Sequence, residues 1–283
     1  MMAAIPTINN KELRAKYNPE GSLLRQIQLR ELSILVEFDR VCRNHGIDYW
    51  LDSGNLIGAV RHGGFIPWDD DIDVCVLKKD RNKLRKAMHE SLNPNYKYSE
   101  AGLESKYEYP GLKKKAKHII SRVYDNNASV KRPLKGSSII VDDNLWLDIL
   151  FMECGTLAAK RFVEKTYGKC LRRVWNTIYD GKIIHILSII AYPFAVIIKD
   201  IISGWCNIFH RDTYVHNYGT TFYSIRRKSD IFPLGEIEFE GLKFKAPRDV
   251  DSYLKRIYGN YMEVPPEDKI ETHQISDFKV RNI

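Results

Sequence analysis

Apolar positions between residues 22 and 45 recur at helical spacing. Leu24, Ile27, Leu35, Phe38 and Cys42 fall in one narrow arc at about 100° per residue, while Arg25, Arg30 and Arg40 fall elsewhere. Gly46 is the expected stop, with His45 in the last turn. The pattern then shortens. Residues 47–51 read as a strand, 52–55 as a turn, and 56–60 as a helical run closed by Gly63 and Gly64. Residues 72–77, rich in β-branched side chains, read as a second strand. Residues 78–90 predict a basic, solvated helix, and 91–118 a long tyrosine-rich loop with short strands. Further strands are expected at 119–123, 138–141 and 145–151. Near the end, alternation about Gly241 over 237–244 predicts a hairpin. A helix capped by Asp249 should run to Ile257 and stop at Gly259.

One stretch breaks this amphipathic rhythm. Sixteen residues between Lys182 and Lys199 contain no Asp, Glu, Lys or Arg. A spanning helix needs about 20 apolar residues, and Pro193 interrupts the run, which argues against a single transmembrane span. Two readings stay open for 183–209. One is a buried helical hairpin. The other is an in-plane or re-entrant contact with a membrane surface, favoured by Arg172, Arg173, Lys182, Lys199 and Arg211.

Composition narrows the class. The chain has 283 residues, 44% hydrophobic and 28% charged, with a net charge of +8, which is globular rather than disordered. Five scattered cysteines without a Cys-x-x-Cys pair argue against a disulfide scaffold or a structural zinc site, and point to a reducing compartment. The amino terminus lacks the basic and apolar regions of a signal peptide, so a cytoplasmic setting is expected. The modest positive charge suits nucleic acid, an anionic membrane or a phosphorylated substrate. The lysine run 113–115 is read as a solvated face, and no nucleic-acid partner is expected.

The densest chemistry is the run Asp69-Asp70-Asp71-Ile72-Asp73. Residues two apart on a strand share a face, so Asp71 and Asp73 present two carboxylates together, and Asp69 shares their parity. Two like charges at one place call for a cation, and Mg²⁺ or Mn²⁺ suits oxygen ligands that leave room for phosphate. Just upstream, Gly54, Asn55 and Gly58 lie between a strand and a helix, where backbone N–H groups can meet phosphate. Arg61 and His62 follow. Asp148 stands inside an apolar strand and needs a partner, either a loop backbone that it caps or the same cation.

Together these blocks resemble the LicD family, which includes fukutin-like proteins. The likeness rests on YWLDSGNLIGAVRHGGFIPWDDDID at 49–73, on the strand around Trp146 and Asp148, on Phe239-Glu-Gly241, on Tyr258-Gly259-x-Tyr261 and on His273. It implies an α/β (α+β) nucleotidyltransferase-type mixed sheet flanked by helices, with a helical hydrophobic insertion. On that likeness 20–155 form the catalytic core, 156–225 the insertion, and 226–283 complete the catalytic domain. The implied reaction transfers a phospho-alcohol, phosphocholine first, from a CDP-alcohol to a cell-surface glycan such as teichoic acid, lipopolysaccharide or capsule. By likeness Asp71, Asp73 and Asp148 are metal ligands, with Asp148 alternatively a general base. Arg61 would stabilise charge, and Gly54, Asn55, Gly58 and His62 would lie near the donor. The family usually has Ser or Thr where this chain has Asn55.

A choline ammonium would need an aromatic face, for which Trp68 and the tyrosines between Tyr96 and Tyr109 are candidates. A lipid-linked acceptor at the cytoplasmic face of a membrane would give 183–209 a purpose. The rival readings are a true nucleotidyltransferase, a basic nucleic-acid-binding protein, and a membrane scaffold without catalysis.

Overall fold

The structure, a computed structural model, describes residues 9–100, 107–108, 115–116, 120–133, 140–175, 182–270 and 277–280. Tyr109, His273, Lys113 and Lys114 from the sequence reading lie outside them, as do the side chains of Tyr107 and Lys115. Helix α1 (Asn10–Tyr17) leads to α2 (Leu23–Asn44), whose Ser22 hydroxyl accepts from the Arg25 N–H and caps the first turn. Helix α2 buries Ile27, Ile34, Leu35, Phe38, Val41 and Cys42, each contributing about 1.5–3 kcal/mol if moved fully out of water. Arg25 also faces inward, contrary to its expected place on the polar side, because Glu240 meets it at 2.8 Å.

Next come β1 (Tyr49–Leu51), α3 (Ser53–His62), β2 (Asp73–Leu77), α4 (Arg81–Ser91), β3 (Tyr96–Ser99), β4 (Ser121–Pro133) and β5 (Ile140–Cys154). The helices α5 (Leu157–Val163), α6 (Lys169–Trp175) and α7 (Lys182–Phe209) follow. The chain finishes with β6 (Thr213–His216), β7 (Ile225–Arg227), α8 (Lys228–Ile231), β8 (Gly235–Phe239), β9 (Leu242–Ala246), α9 (Val250–Tyr258) and β10 (Asp277–Val280). The fold is mixed α/β, built on an eight-stranded sheet. Its central order is β1-β2-β5-β4, and β2 and β5 run parallel while β1 and β4 are antiparallel to their neighbours. Strands β3 and β10 pair with successive parts of β4, and β6 pairs with the end of β5 and with β7.

Strand β2 is sandwiched on both faces, which is why Val74-Cys75-Val76-Leu77 reads as continuous rather than alternating apolar sequence. Strand β5 is longer than the apolar run at 145–151, since its polar start at Asp142 to Asn144 pairs with the outer part of β4. The expected hairpin forms as β8 and β9, with Glu240 at φ +52° and Gly241 at +77°, the two positive angles of a type I′ turn. Its tip grips the loop after α3. The Glu240 carboxylate accepts from the Phe65 N–H at 3.0 Å, and its N–H donates to Gly63 O.

The hydrophobic stretch is one helix, not a hairpin. Helix α7 continues through Pro193, whose missing hydrogen bond is outweighed by contacts on either side, with Tyr192 stacked on Tyr167 and Ala195 buried.

Candidate active site

Two aspartates distant in sequence meet because β2 and β5 are parallel. Asp73, the first residue of β2, is the register partner of Asp148, and the Asp148 N–H donates to Ile72 O at 2.8 Å. Burial, then the negative charges of Asp71, Asp148 and Asp52, push the Asp73 carboxyl well above the ordinary aspartate range, while the Ser53 hydroxyl hydrogen-bonds to it and opposes the rise. The structure therefore brings Asp71, Asp73 and Asp148 together. Of the two readings left open for Asp148, it joins the acidic cluster rather than capping a loop. It has a cationic neighbour as well. Arg122, its partner on β4, donates from Nε to Asp148 Oδ1 at 2.6 Å and stacks on the Trp146 ring at 4.2 Å.

The glycine-containing turn holds the acidic loop rather than forming an open phosphate cradle. Asn55 is 1% exposed, and its amide donates to Asp71 O at 2.9 Å while its carbonyl oxygen accepts from the Asp73 N–H at 2.6 Å. Gly54 leaves room for the Asp69 carboxylate, which would lie 2.4 Å from an added Cβ. At Gly58 a Cβ would sit 2.3 Å from Gly64 O, a contact between backbones. The donor contacts expected of Gly54, Asn55 and Gly58 are thus replaced by contacts within the protein.

Arg61 and His62 do not join the carboxylates. Eight residues of helix, about 12 Å, separate Arg61 from Ser53 at the start of α3. Arg61 donates from Nη1 to the carbonyls of Tyr261 and Glu263 and from Nε to His62 Nε2. His62 in turn donates from Nδ1 to Asn10. Trp68 packs edge-on against Tyr17 and His62 instead of opening to a ligand. Burial, followed by the charges of Arg61 and Arg14, pushes His62 down to about 3.

The depressed His62 pKa makes stability pH-dependent. The unfolded chain takes up this proton near pH 6.5 and the folded chain does not. The contribution is complete above about pH 6.5 and falls away as pH drops toward 3, amounting to about 2 kcal/mol of lost stability at pH 5. Urea midpoints at pH 7.5 and pH 5 should therefore differ more for the wild type than for His62→Gln. Equal differences would mean that the pair with Arg61 does not hold the ring neutral.

The residues that sequence reasoning missed lie beneath the acids. Asp52 is fully buried, and its N–H donates to Asp73 O at 3.1 Å. Its carboxylate accepts from Arg226 Nη2 at 3.0 Å, Tyr253 OH at 2.7 Å and Cys75 Sγ at 3.2 Å. Burial works to raise this carboxyl, but Arg226 and these bonds more than offset it and leave it below the usual range. Asp52, Cys75 and His216 also place three ligand atoms within 4.8 Å of one another. The Arg226 guanidinium already supplies the positive charge there, so the trio needs no metal. Ser53, at φ +50°, is a non-glycine residue held in the left-handed region at the mouth of the site. A polar Asp directly after an apolar strand is the local signal for Asp52; Arg226 and Tyr253 carry none.

Residues 46–131 match the family model described as LicD/FKTN/FKRP, nucleotidyltransferase domain. The lipopolysaccharide cholinephosphotransferase LicD of Haemophilus influenzae is 27% identical over 270 residues, which cover 90% of this chain and 97% of that protein. Through this segment the chain resembles the LicD family. Human ribitol 5-phosphate transferase FKRP is 51% identical over 35 residues, 12% of this chain and 7% of its own. An uncharacterized Rickettsia prowazekii protein is 32% identical over 82 residues, 29% of each chain. The matched segment carries Asp71, Asp73 and Arg122, and the sheet adds Asp148 from beyond it.

Proposed function

We propose that this protein is a LicD-type phosphotransferase that moves a phospho-alcohol, phosphocholine first among the candidates, from a CDP-alcohol to a hydroxyl of a glycan. The observation that carries this reading is the register pairing of Asp73 with Asp148, beside Asp71. Two named relatives support it, one a transferase of choline phosphate acting on lipopolysaccharide and the other of ribitol 5-phosphate.

The acidic cluster fits a divalent metal. Asp73 is raised by its carboxylate neighbours, and positive charge at that point would relieve all three. Asp71 and Asp73 would hold Mg²⁺ or Mn²⁺, leaving Asp148 for the proton; when bound, the ion would neutralise charge on the donor phosphates. The chain's own groups account for the rest. The acceptor oxygen forms a bond to the phosphorus bearing the alcohol, and the bond from that phosphorus to the bridging oxygen breaks and releases CMP. The acceptor proton passes to a carboxylate, for which Asp148 Oδ2 is the candidate, since Oδ1 is engaged by Arg122. Arg122, rather than Arg61, is the guanidinium beside the reacting groups and takes the charge-stabilising role. Ser53 and the 44%-exposed Tyr258, whose hydroxyl bonds to Ser53, border the same mouth and offer a polar contact and an aromatic face to the donor.

The test is nucleotide release with Mg²⁺ and a panel of CDP-choline, CDP-ethanolamine, CDP-glycerol, CDP-ribitol and the nucleoside triphosphates. CMP from one CDP-alcohol is the expected result. Pyrophosphate from a triphosphate would instead favour nucleotidyl transfer, the reading that the family model's own description keeps open.

A further inference from the structure

Helix α7 is amphipathic in the wrong direction for a water-soluble protein. Its inward stripe, at three- and four-residue spacing, runs through His185, Ser188, Tyr192, Ala195, Lys199, Ile202 and Cys206. Ile202 packs beside Val215 and Tyr218, and the rest of the docking is largely polar and aromatic. His185 Nδ1 donates to Arg173 O at 3.0 Å, Tyr192 stacks on Tyr167, and Lys199 Nζ lies 5.3 Å over the same Tyr167 ring. Toward its end, Ser203 Oγ donates to Glu153 Oε2 at 2.7 Å, and Tyr218 OH reaches Cys206 Sγ. The outward face is the apolar one. Of the twenty-two exposed large hydrophobic side chains among the described residues, thirteen lie on this helix, including Ile190, Phe194, Ile197 and Ile201 at 56–66% exposure. The segment's mean hydropathy is 1.9, and only 17% of it is buried.

Two further features select the occupant of that face. The helix is about 42 Å long, and among its described exposed side chains only Asp200, Trp205 and Asn207 can hydrogen-bond. A protein partner would ordinarily require about one hydrogen bond per 100–200 Å² and a polar rim. A lipid surface requires neither. The helical run packed beside α7 carries Arg161, Lys165 and Lys169 at four-residue spacing on its exposed side, and Arg211 follows the far end of α7. A basic stripe next to an apolar face complements anionic headgroups above acyl chains.

We propose that α7 is a membrane-docking helix that lies in the plane of an anionic bilayer surface, with Ile190, Phe194, Ile197 and Ile201 in the acyl boundary and Arg161, Lys165 and Lys169 among the headgroups. The surface is independent of the transfer reaction. It meets the sheet at the end of β5, where Glu153 contacts Ser203 five residues or about 17 Å along the strand from Asp148, and beside Val215 of β6, where Ile202 packs. Docking through it leaves the carboxylates clear of the lipid.

Vesicle flotation of the full chain tests this without any substrate. The wild type should float with phosphatidylglycerol-rich vesicles and bind at least about tenfold more weakly to pure phosphatidylcholine or in high salt. The triple variant Ile190→Gln/Phe194→Gln/Ile197→Gln alters only exposed side chains, so it should keep its melting temperature and fail to float. Lys165→Glu/Lys169→Glu should lose the preference for anionic lipid. In Phe194→Trp, midway along the helix, the added emission should be quenched more by lipids brominated near the headgroup than near the chain end. Stronger deep quenching would overturn the in-plane placement. Flotation of the triple variant at wild-type level would overturn the docking face. So would a wild-type dimer in lipid-free solution that the same variant converts to monomer, since a second copy would then cover that face.

Discussion

Replacing Asp73 with Asn should lower transfer on the order of 10³-fold, with unchanged or higher resistance to urea. The two halves of this expectation come from the same geometry. Asp73 sits across from Asp148 with Asp71 near, and burial among like charges raises its carboxyl. Neutralising one of three crowded carboxylates relieves repulsion, so a purely structural acid would leave a more stable protein with intact function. A site that needs all three charges loses its reaction instead. Asp148→Asn should behave similarly in activity but lose stability, because it keeps an acceptor at 2.6 Å from Arg122 and removes the negative charge that the guanidinium meets there. The measurement is initial CMP release beside a urea melt for each variant. An Asp73→Asn protein within about threefold of wild-type activity would remove the acidic cluster from the mechanism.

Arg226→Met should destabilise by about 3–5 kcal/mol, lowering the melting temperature by roughly 10 °C. Arg226 and Asp52 are both almost fully buried and meet at 3.0 Å, so removing the guanidinium strands a carboxylate in the interior at the end of β1. The double variant Arg226→Met/Asp52→Asn should recover much of the loss, since no buried charge then remains. Recovery of fold without recovery of activity is the expected pattern. The Asp52 charge, lost in this variant, acts on the Asp73 carboxyl, and Asp52 immediately precedes Ser53 at the mouth. A single variant as stable as wild type would mean that water reaches the pair and screens it.

The local parts of this molecule were readable from sequence. Helix α2, the β8–β9 hairpin and α9 with its Asp249 cap each follow from periodicity, turn residues and capping that act within a few positions. That Asp71 lies beside Asp73 follows from their nearness in sequence, although the strand begins only at Asp73. The roles of Arg61 and Asn55 were not readable, because they depend on what stands opposite. Arg61 meets carbonyls from the far end of the chain, and Asn55 is consumed by the loop that it was expected to sit beside. Arg122 was passed over since nothing in its neighbourhood points to Asp148; only the β4–β5 register does. Helix α7 escaped for a different reason. Its apolar stripe was plain, but hydrophobic sequence alone does not tell an inward face from an outward one, and Pro193 suggested a break that packing overrides.

The parallel partnership of β2 and β5 also orders events in time. A chain emerging from the ribosome completes β2 long before β5, with α4, β3 and β4 made in between. Until β5 arrives, Val74 to Leu77 lack their neighbour on one edge, and no half-made chain can gather the three carboxylates. Loop closure of this span is an entropic cost met before the contacts that reward it, which makes this pairing a candidate for the slow step of folding. The delay has a benefit. Repulsion among Asp71, Asp73 and Asp148 is met only once the strands that carry them are all made, so the self-opposing cluster never forms on β2 alone.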